Sequence, residues 1–383
     1  MKTLIVATLI VMTTALFAAD DDGFVPLFNG KDLSGWVNAN CAPDTWSVKD
    51  GMIHCTGIPT GAMRTERQYE NFILEVDWHF LVSGGNSGVF IWGTPISAPG
   101  VPFLRGIEVQ VLDNGYDAKG KDEWYTTHGD IFPIHGATMK ATGRTSKNKQ
   151  RSFPSEDRSK SSPEWNHYRV ECNNGTIRLS VNGKEVTVGE ECNYRKGYLA
   201  LESEGALVEF KNIRIKELPS TNTPPELTAP VDVGFRQIYS PKLDFFQEPE
   251  VKGRWEGRDW NLVLQKSTDE KRADLWTKQE WGDAEFIVDV KPIVPTPPGS
   301  APAGIRLRQK DGKGPVVSFV DAPVGKFSRY RINVKGGLIT VFMNEKEVQK
   351  LEFSKDAPAK GPLGFIDAGV NIEFGGIFAR DFN

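Results

Sequence analysis

The chain has 383 residues, a formal net charge of −4 and no dense basic patch. That balance argues against a nucleic-acid partner, which would call for clustered cations interleaved with aromatics. The length suits two domains of ordinary size, and ten Trp with 22 Phe supply bulk for β-sandwich cores.

At the N-terminus, Met1-Lys2 precedes an apolar run from Leu4 to Leu16, followed by Phe17-Ala18-Ala19 and Asp20-Asp21-Asp22. This layout predicts a signal peptide over 1–19 with cleavage near Ala19, too short to span a bilayer. No Cys directly follows the run and no other long apolar stretch exists. The expectation is a secreted or periplasmic protein without stable membrane insertion; its oligomeric state is left open.

Strand signals then dominate. WSVKDGMIHCTG (46–57), FILEVDWHF (72–80), SGVFIWG (87–93) and TIRLSVNGKEV (176–186) alternate apolar and polar residues between turn formers. Asp50-Gly51 and Asn182-Gly183 are two-residue hairpin turns. In GIEVQVLDNG (106–115), Ile107, Val109 and Val111 alternate with Glu108 and Gln110, so the two polar side chains project together. Asp113 falls on the core face unless the Asn114-Gly115 turn re-aims it. A carboxylate, an amide and a second carboxylate near one strand end suit sugar hydroxyls and proton transfer.

Glu75, Asp77 and His79, then Arg169 and Glu171, then Glu202 also alternate with apolar neighbours. If these strands adjoin the Glu108 strand, one sheet face carries acids and amides with Trp92 and Trp124 nearby. The run 140–158 is basic but Ser/Thr-rich and interrupted by Pro154, and reads as a solvated loop.

Four cysteines, Cys41, Cys55, Cys172 and Cys192, lie before residue 217. An even count in an exported chain favours disulfides. Three connectivities are open; bracketed hairpins favour Cys41–Cys55 and Cys172–Cys192, with buried thiols as the alternative. The segment 217–230, ELPSTNTPPELTAP, holds four prolines and reads as a linker. The expected layout is a ligand-binding sandwich over 20–217, a linker over 218–231 and a second, reduced sandwich over 232–383.

The chain repeats itself. Residues 63–77 align on 275–289 without a gap at an offset of 212, matching Thr65 with Thr277 and Val76-Asp77 with Val288-Asp289. Tyr168-Arg169-Val170 and NGKEV (182–186) echo Tyr330-Arg331-Ile332 and NEKEV (344–348) at an offset of 162. The difference, 212 − 162 = 50, is extra length inside 78–167 of the first copy. That elaboration holds Glu108, His128 and His135, while the second copy is expected to lack any counterpart of the Glu108 strand. Loops added to a rigid scaffold are where binding and catalysis collect.

The ordered motifs GFVPLFNGKDLSGW (23–36), WSVKDGMIHCTG, GNSGVFIWG (85–93), GIEVQVLDNG, PEWNHYRVEC (163–172), VNGKEV (181–186) and GYLALESEGALVEFKNIRI (197–215) resemble the 3-keto-disaccharide hydrolase family. This family is also described as 3-keto-glucoside 1,2-lyase/3-keto-2-hydroxy-glucal hydratase. The resemblance covers about 24–217 and only weakly extends to the second copy. It implies concanavalin-like jelly-roll sandwiches, an all-β chain, and cleavage of oxidised glucosides by elimination and hydration. Glu108 is then the expected base, His135 or His128 the acid, and Gln110 or Asn86 a donor to enolate or hydroxyl. Asp113 would position a histidine or hold a cation, and Trp92, Trp124 and Glu202 would contact sugar. One departure stands out: His128-Gly129-Asp130-Ile131-Phe132 replaces the family's Thr-Gly-x-x-Tyr-type segment.

Two other readings remain. Glu108-x-Gln110-x-x-Asp113 has the spacing of the Glu-x-Asp-x-x-Glu motif of laminarinase-like retaining hydrolases, without its middle Asp. Such sites hold their carboxyls about 5–5.5 Å apart, and the shorter Asp113 would retract. The third reading is a carbohydrate-binding protein without chemistry. No cofactor is expected, although Asp113, Asp117 and Asp122 could hold Ca²⁺ through loop oxygens.

Overall fold

The computed structural model describes residues 22–116, 124–126, 128–266, 273–295, 302–309, 314–319 and 321–382. The leader therefore lies outside the described residues, as do Asp117 and Asp122. Among the described residues regular structure is almost wholly antiparallel β, with one 3₁₀ turn at Pro225–Leu227.

Residues up to 217 build two sheets. One is nine-stranded, and its centre runs Thr176–Val181, Asn166–Asn173, Phe72–Phe80, Val208–Glu217. The other is eight-stranded, with Ile131–Ile134, Gly106–Leu112, Asn86–Gly93, Tyr198–Ser203 and Gly61–Thr65 side by side. Alternation drives their packing. Phe72, Leu74, Val76, Trp78 and Phe80 of the first sheet meet Val89, Val109, Val111 and Leu201 of the second in one core. This is a β-sandwich. Hairpin turns fall where expected: Asp50-Gly51 and Asn182-Gly183 both take positive φ, as the right-twisted two-residue loop requires.

The second copy repeats the frame. Its larger sheet runs Lys346–Glu352, Leu338–Met343, Ser328–Lys335, Ala284–Pro292, Ile372–Asp381, Asn261–Leu264, Trp255–Arg258, the same order as in the first. Its smaller sheet places Leu275–Trp281, Gly361–Phe365, Gly304–Leu307 and Val316–Ser318 side by side around a separate core. Here one expectation is corrected. Val89 pairs with Val109 and Leu201, and Ile305 pairs with Val317 and Phe365. Val316–Ser318 is thus the counterpart of the Glu108 strand, shortened and without its acid.

The proline-rich segment is held in place, and the disulfide expectation changes. The segment 218–231 is bonded onto the first copy: Leu218 N–H donates to Asn71 O at 2.9 Å and Ala229 N–H to Lys196 O at 2.8 Å. Glu70 accepts from Ser220, Thr221 and Thr223; burial opposes its ionisation, but these bonds hold its carboxyl down at about 2. All four cysteines are buried free thiols rather than disulfides. The expected partners are neighbours, Cys55 beside Cys41 and Cys192 beside Cys172, in apolar surroundings where burial pushes each thiol up.

Candidate active site

The outer face of the eight-stranded sheet is where acids collect. Phe90 lies opposite Glu108 and Gly88 opposite Gln110 on one flank; Ala62 lies opposite Glu202 on the other, and Asn86 bridges Glu204. Alternation puts Asn86, Gly88, Phe90, Glu108, Gln110, Glu202 and Glu204 on a single face. Phe90, Ala62, Ala200 and Leu104 form an apolar floor at one end. Gly88 makes the hollow possible, because a Cβ there would stand 2.8 Å from Glu108 Oε1. The result is a cavity of about 240 Å³ lined by Glu108, Glu202, Glu204, Gln110, Asn86 and Arg151, with Phe103, Tyr116, Trp124, Phe132 and His135 around its mouth.

A directed hydrogen-bond chain fixes the hollow. Arg151 Nη1 donates to Gln110 Oε1 at 3.3 Å; Gln110 Nε2 donates to Asn86 Oδ1 at 2.9 Å; Asn86 Nδ2 donates to Glu204 Oε2 at 2.5 Å. Gln110 Nε2 also donates to Ser87 O at 3.1 Å. Both amide hydrogens of Gln110 are therefore committed to protein, and it serves to hold Asn86 and Arg151 rather than to reach an enolate. Arg151 is buried, pairs with the buried Asp130 at 3.1 Å and lies over the Phe132 ring, 3.4 Å from its centroid.

Three carboxyls in one dry hollow cannot all ionise. Burial pushes Glu108 up to about 8, the Glu204 charge adds to the shift and Arg151 opposes it. Burial, then the charges of Glu108 and Glu204, push Glu202 well above the carboxylate range. Glu204 rises to about 7 through burial and, less strongly, Asp259, against hydrogen bonds from Glu202 and Asn86. The cluster thus holds acid and base forms together near neutral pH. Such separation is the pattern of proton-transfer sites.

Glu108, Gln110, Asn86, Glu202, Trp124 and His135 all line this hollow. His135 sits exposed at the rim, stacked 5.5 Å from Phe103 at 11°. The other expected residues do not join them. Trp92 is fully buried in the core with its indole N–H on Glu70 O at 2.9 Å. Its φ of 53° and the adjacent register shift turn inward a side chain that strict alternation would point outward. His128 is buried outside the hollow, accepting from Ser159 N–H at 3.2 Å and lying 3.1 Å from Asp157; burial lowers it to about 4. Asp113 gathers Gly84 N–H, Gly115 N–H, Ser162 N–H and Ser83 Oγ–H on its two oxygens, so it clasps loops. That also dismantles the laminarinase-like spacing, since Asp113 faces away from Glu108.

Glu75, Asp77, His79, Arg169 and Glu171 belong to the opposite sheet and share no face with Glu108. Glu75 pairs there with Arg169 and Arg214, both at 2.8 Å. Sequence reasoning missed Glu204, Arg151, Asp130 and Phe132. Glu204 was signalled by its two-residue spacing from Glu202. Arg151 was not, because the basic run 140–158 gives no sign which cation turns inward. Among the described residues no group of three or more His, Cys, Asp or Glu is arranged to hold a metal ion, and no helix is long and apolar enough to cross a membrane.

A 3-keto-disaccharide hydrolase of Bacteroides thetaiotaomicron is 23% identical over 260 residues, covering 54% of this chain and 82% of that protein. Two crystal structures of candidate glycosyl hydrolases from Parabacteroides distasonis are also similar. One is 25% identical, covering 52% of this chain and 95% of that one at a TM-score of 0.40. The other is 26% identical, covering 51% and 99% at a TM-score of 0.39. The family described as the 3-keto-alpha-glucoside-1,2-lyase-like domain matches residues 23–216, the span that builds the acid hollow, and this chain belongs to that family.

Proposed function

We propose that this is an exported carbohydrate-active enzyme that cleaves 3-keto-glycosides by elimination and hydration, with net hydrolysis. The observation that carries this reading is the convergence of Glu108, Glu202 and Glu204 over Gly88, with ionisations pushed apart. A ketone at sugar C3 acidifies the C2 proton. Glu108, in the ionised form that it gains as pH approaches about 8, takes that proton, and the electron pair forms the enolate whose oxygen is the former C3 carbonyl. Arg151, which lines the hollow and whose charge acts on Glu108, supplies positive charge for the oxyanion. Expulsion of the C1 substituent then gives the enone, with a proton delivered to the leaving oxygen from the shared Glu202–Glu204 pair. Water adds at C1, giving its proton to the Glu202–Glu204 pair, and C2 regains a proton from Glu108, so all three carboxyls return to their starting state.

This assignment keeps Glu108 as base but moves the acid from histidine to carboxyl. His128 lies outside the hollow, and His135 is at its rim, where it fits the aglycone side with Trp124. The domain limits 20–217, 218–231 and 232–383 are proposed with it, chemistry residing in the first. The test is a side-by-side assay of a 3-keto-glucoside and its unoxidised parent, detecting released 3-keto-glucose. Cleavage of the keto sugar alone supports the reading. Cleavage of the parent, or binding of both without turnover, overturns it in favour of ordinary hydrolysis or a binding protein.

A further inference from the structure

A second, larger cavity of about 700 Å³ adjoins the acid hollow and shares His135 as a wall. Loop residues 94–99 and Arg105 form one side; Arg329, Arg331 and Asn333 of the second copy form the other. Ile96 packs against Phe235, Ile287 and Phe378, joining the copies beneath it. The volume lies within the usual range of small-molecule sites.

Its polar lining is unfinished. Arg329 is committed to Asp289 by two bonds of 2.7 and 2.8 Å, and Arg331 pairs with Asp232 and Glu285. Arg105 has no carboxylate partner among the described residues; its guanidinium lies 5.1 Å from the Tyr194 ring centroid and its buried Nε–H meets no acceptor. Ser97 Oγ and Asn333 Oδ1 also lack partners but have no accessible surface, so they lie behind the cavity wall. What the cavity leaves open is Arg105, the one guanidinium of its lining with no carboxylate partner among the described residues. Arg105 asks for an anion, which a planar carboxylate meets in two parallel bonds. Thr94 and Asn333, which line the same cavity, bring a hydroxyl and an amide, groups that suit the hydroxyls of a sugar.

We propose that this cavity binds the leaving-group half of the substrate, and that this half is a hydroxylated carboxylate of the uronic-acid class. The inference rests on the proposed cleavage chemistry for its role, but its binding step does not. Isothermal titration of the full chain with D-glucuronate and, separately, D-glucose reads the site directly. Glucuronate should bind and glucose bind at least tenfold more weakly. Arg105→Met, which keeps the apolar stem, should weaken glucuronate by roughly 10–100-fold, with Arg105→Lys in between; thermal melting checks that each variant folds. In turnover, KM for a 4-carboxyphenyl 3-keto-glucoside should lie below that of the 4-nitrophenyl analogue, and Arg105→Met should erase the difference. Equal binding of the two sugars, or glucuronate binding indifferent to Arg105, overturns the site even if 3-keto-glucosides are cleaved. Arg105-dependent glucuronate binding with no turnover of either glucoside supports the site and removes the cleavage reading instead.

Discussion

In the first copy, Gly88 stands opposite Gln110, with Glu108 two residues before Gln110 and Glu202 on the neighbouring strand. In the second copy, Gly304 stands opposite Ser318; the positions of Glu108 and Glu202 are held by Val316 and Ile366. Even the backbone kink is kept, since Trp92 and its counterpart Arg308 both take positive φ, 53° and 43°. The frame therefore folds without the acids. Burying three carboxyls together works against ionisation and adds no packing that Val and Ile do not supply. Their presence in only one copy is what a functional site looks like against its own scaffold.

The largest effect expected from this contrast is on turnover. Glu108→Gln should lower kcat by about 10²–10⁴-fold, while Val316→Gln at the matching position should cost stability and leave kcat unchanged. A Glu108→Gln variant that turns over normally would break the comparison. Next come the two glycines. Gly88→Ala brings a methyl to 2.8 Å from Glu108 Oε1 and should cost roughly tenfold or more in kcat with little loss of Tm. Gly304→Ala brings one to 2.4 Å from the Val317 carbonyl oxygen and should cost about 1–3 kcal/mol of stability instead. Denaturant melts and steady-state kinetics on both variants separate the two outcomes.

How much of this was readable beforehand depended on what kind of information each residue carried. Periodicity of two, Asp-Gly and Asn-Gly turns and the internal offsets sufficed for the strands, both sandwiches and the shared face of Glu108 and Gln110. Alternation misplaced Trp92, because a single left-handed residue reverses which face a side chain takes, and nothing local announces it. It grouped Glu75 and Arg169 with Glu108 because period two gives a face but not a sheet. His128 and Asp113 were chemically apt and near in sequence, yet loop backbone claimed both. Arg151 arrives through an excursion whose end point is set by Asp130 and Phe132, long-range partners that no local pattern encodes.

A pH titration sharpens the contrast further. Carboxyls whose folded pKa is raised from 4.5 to about 8 (Glu108) and about 7 (Glu204) stabilise the fold fully below the ordinary value. They lose that contribution as pH rises through the raised ones. Stability should therefore fall by several kcal/mol between pH 4.5 and 8, a slope that Glu108→Gln reduces. A slope unaffected by Glu108→Gln would remove the acid cluster as its source. Smallest is Gln110→Ala, which frees Asn86 and Arg151 to move and should lower kcat only a few-fold, with Ser318→Ala at the matching position having no effect on kcat.

The most direct test of carboxylate-driven elimination is isotopic. When a 3-keto-glucoside is cleaved in D₂O, the released 3-keto-glucose should carry deuterium at C2, and Glu108→Gln should abolish its incorporation along with turnover. Hydrogen retained at C2 together with undiminished turnover of a substrate carrying deuterium at C2 would contradict the account, because C1 would then have been cleaved without proton removal by Glu108.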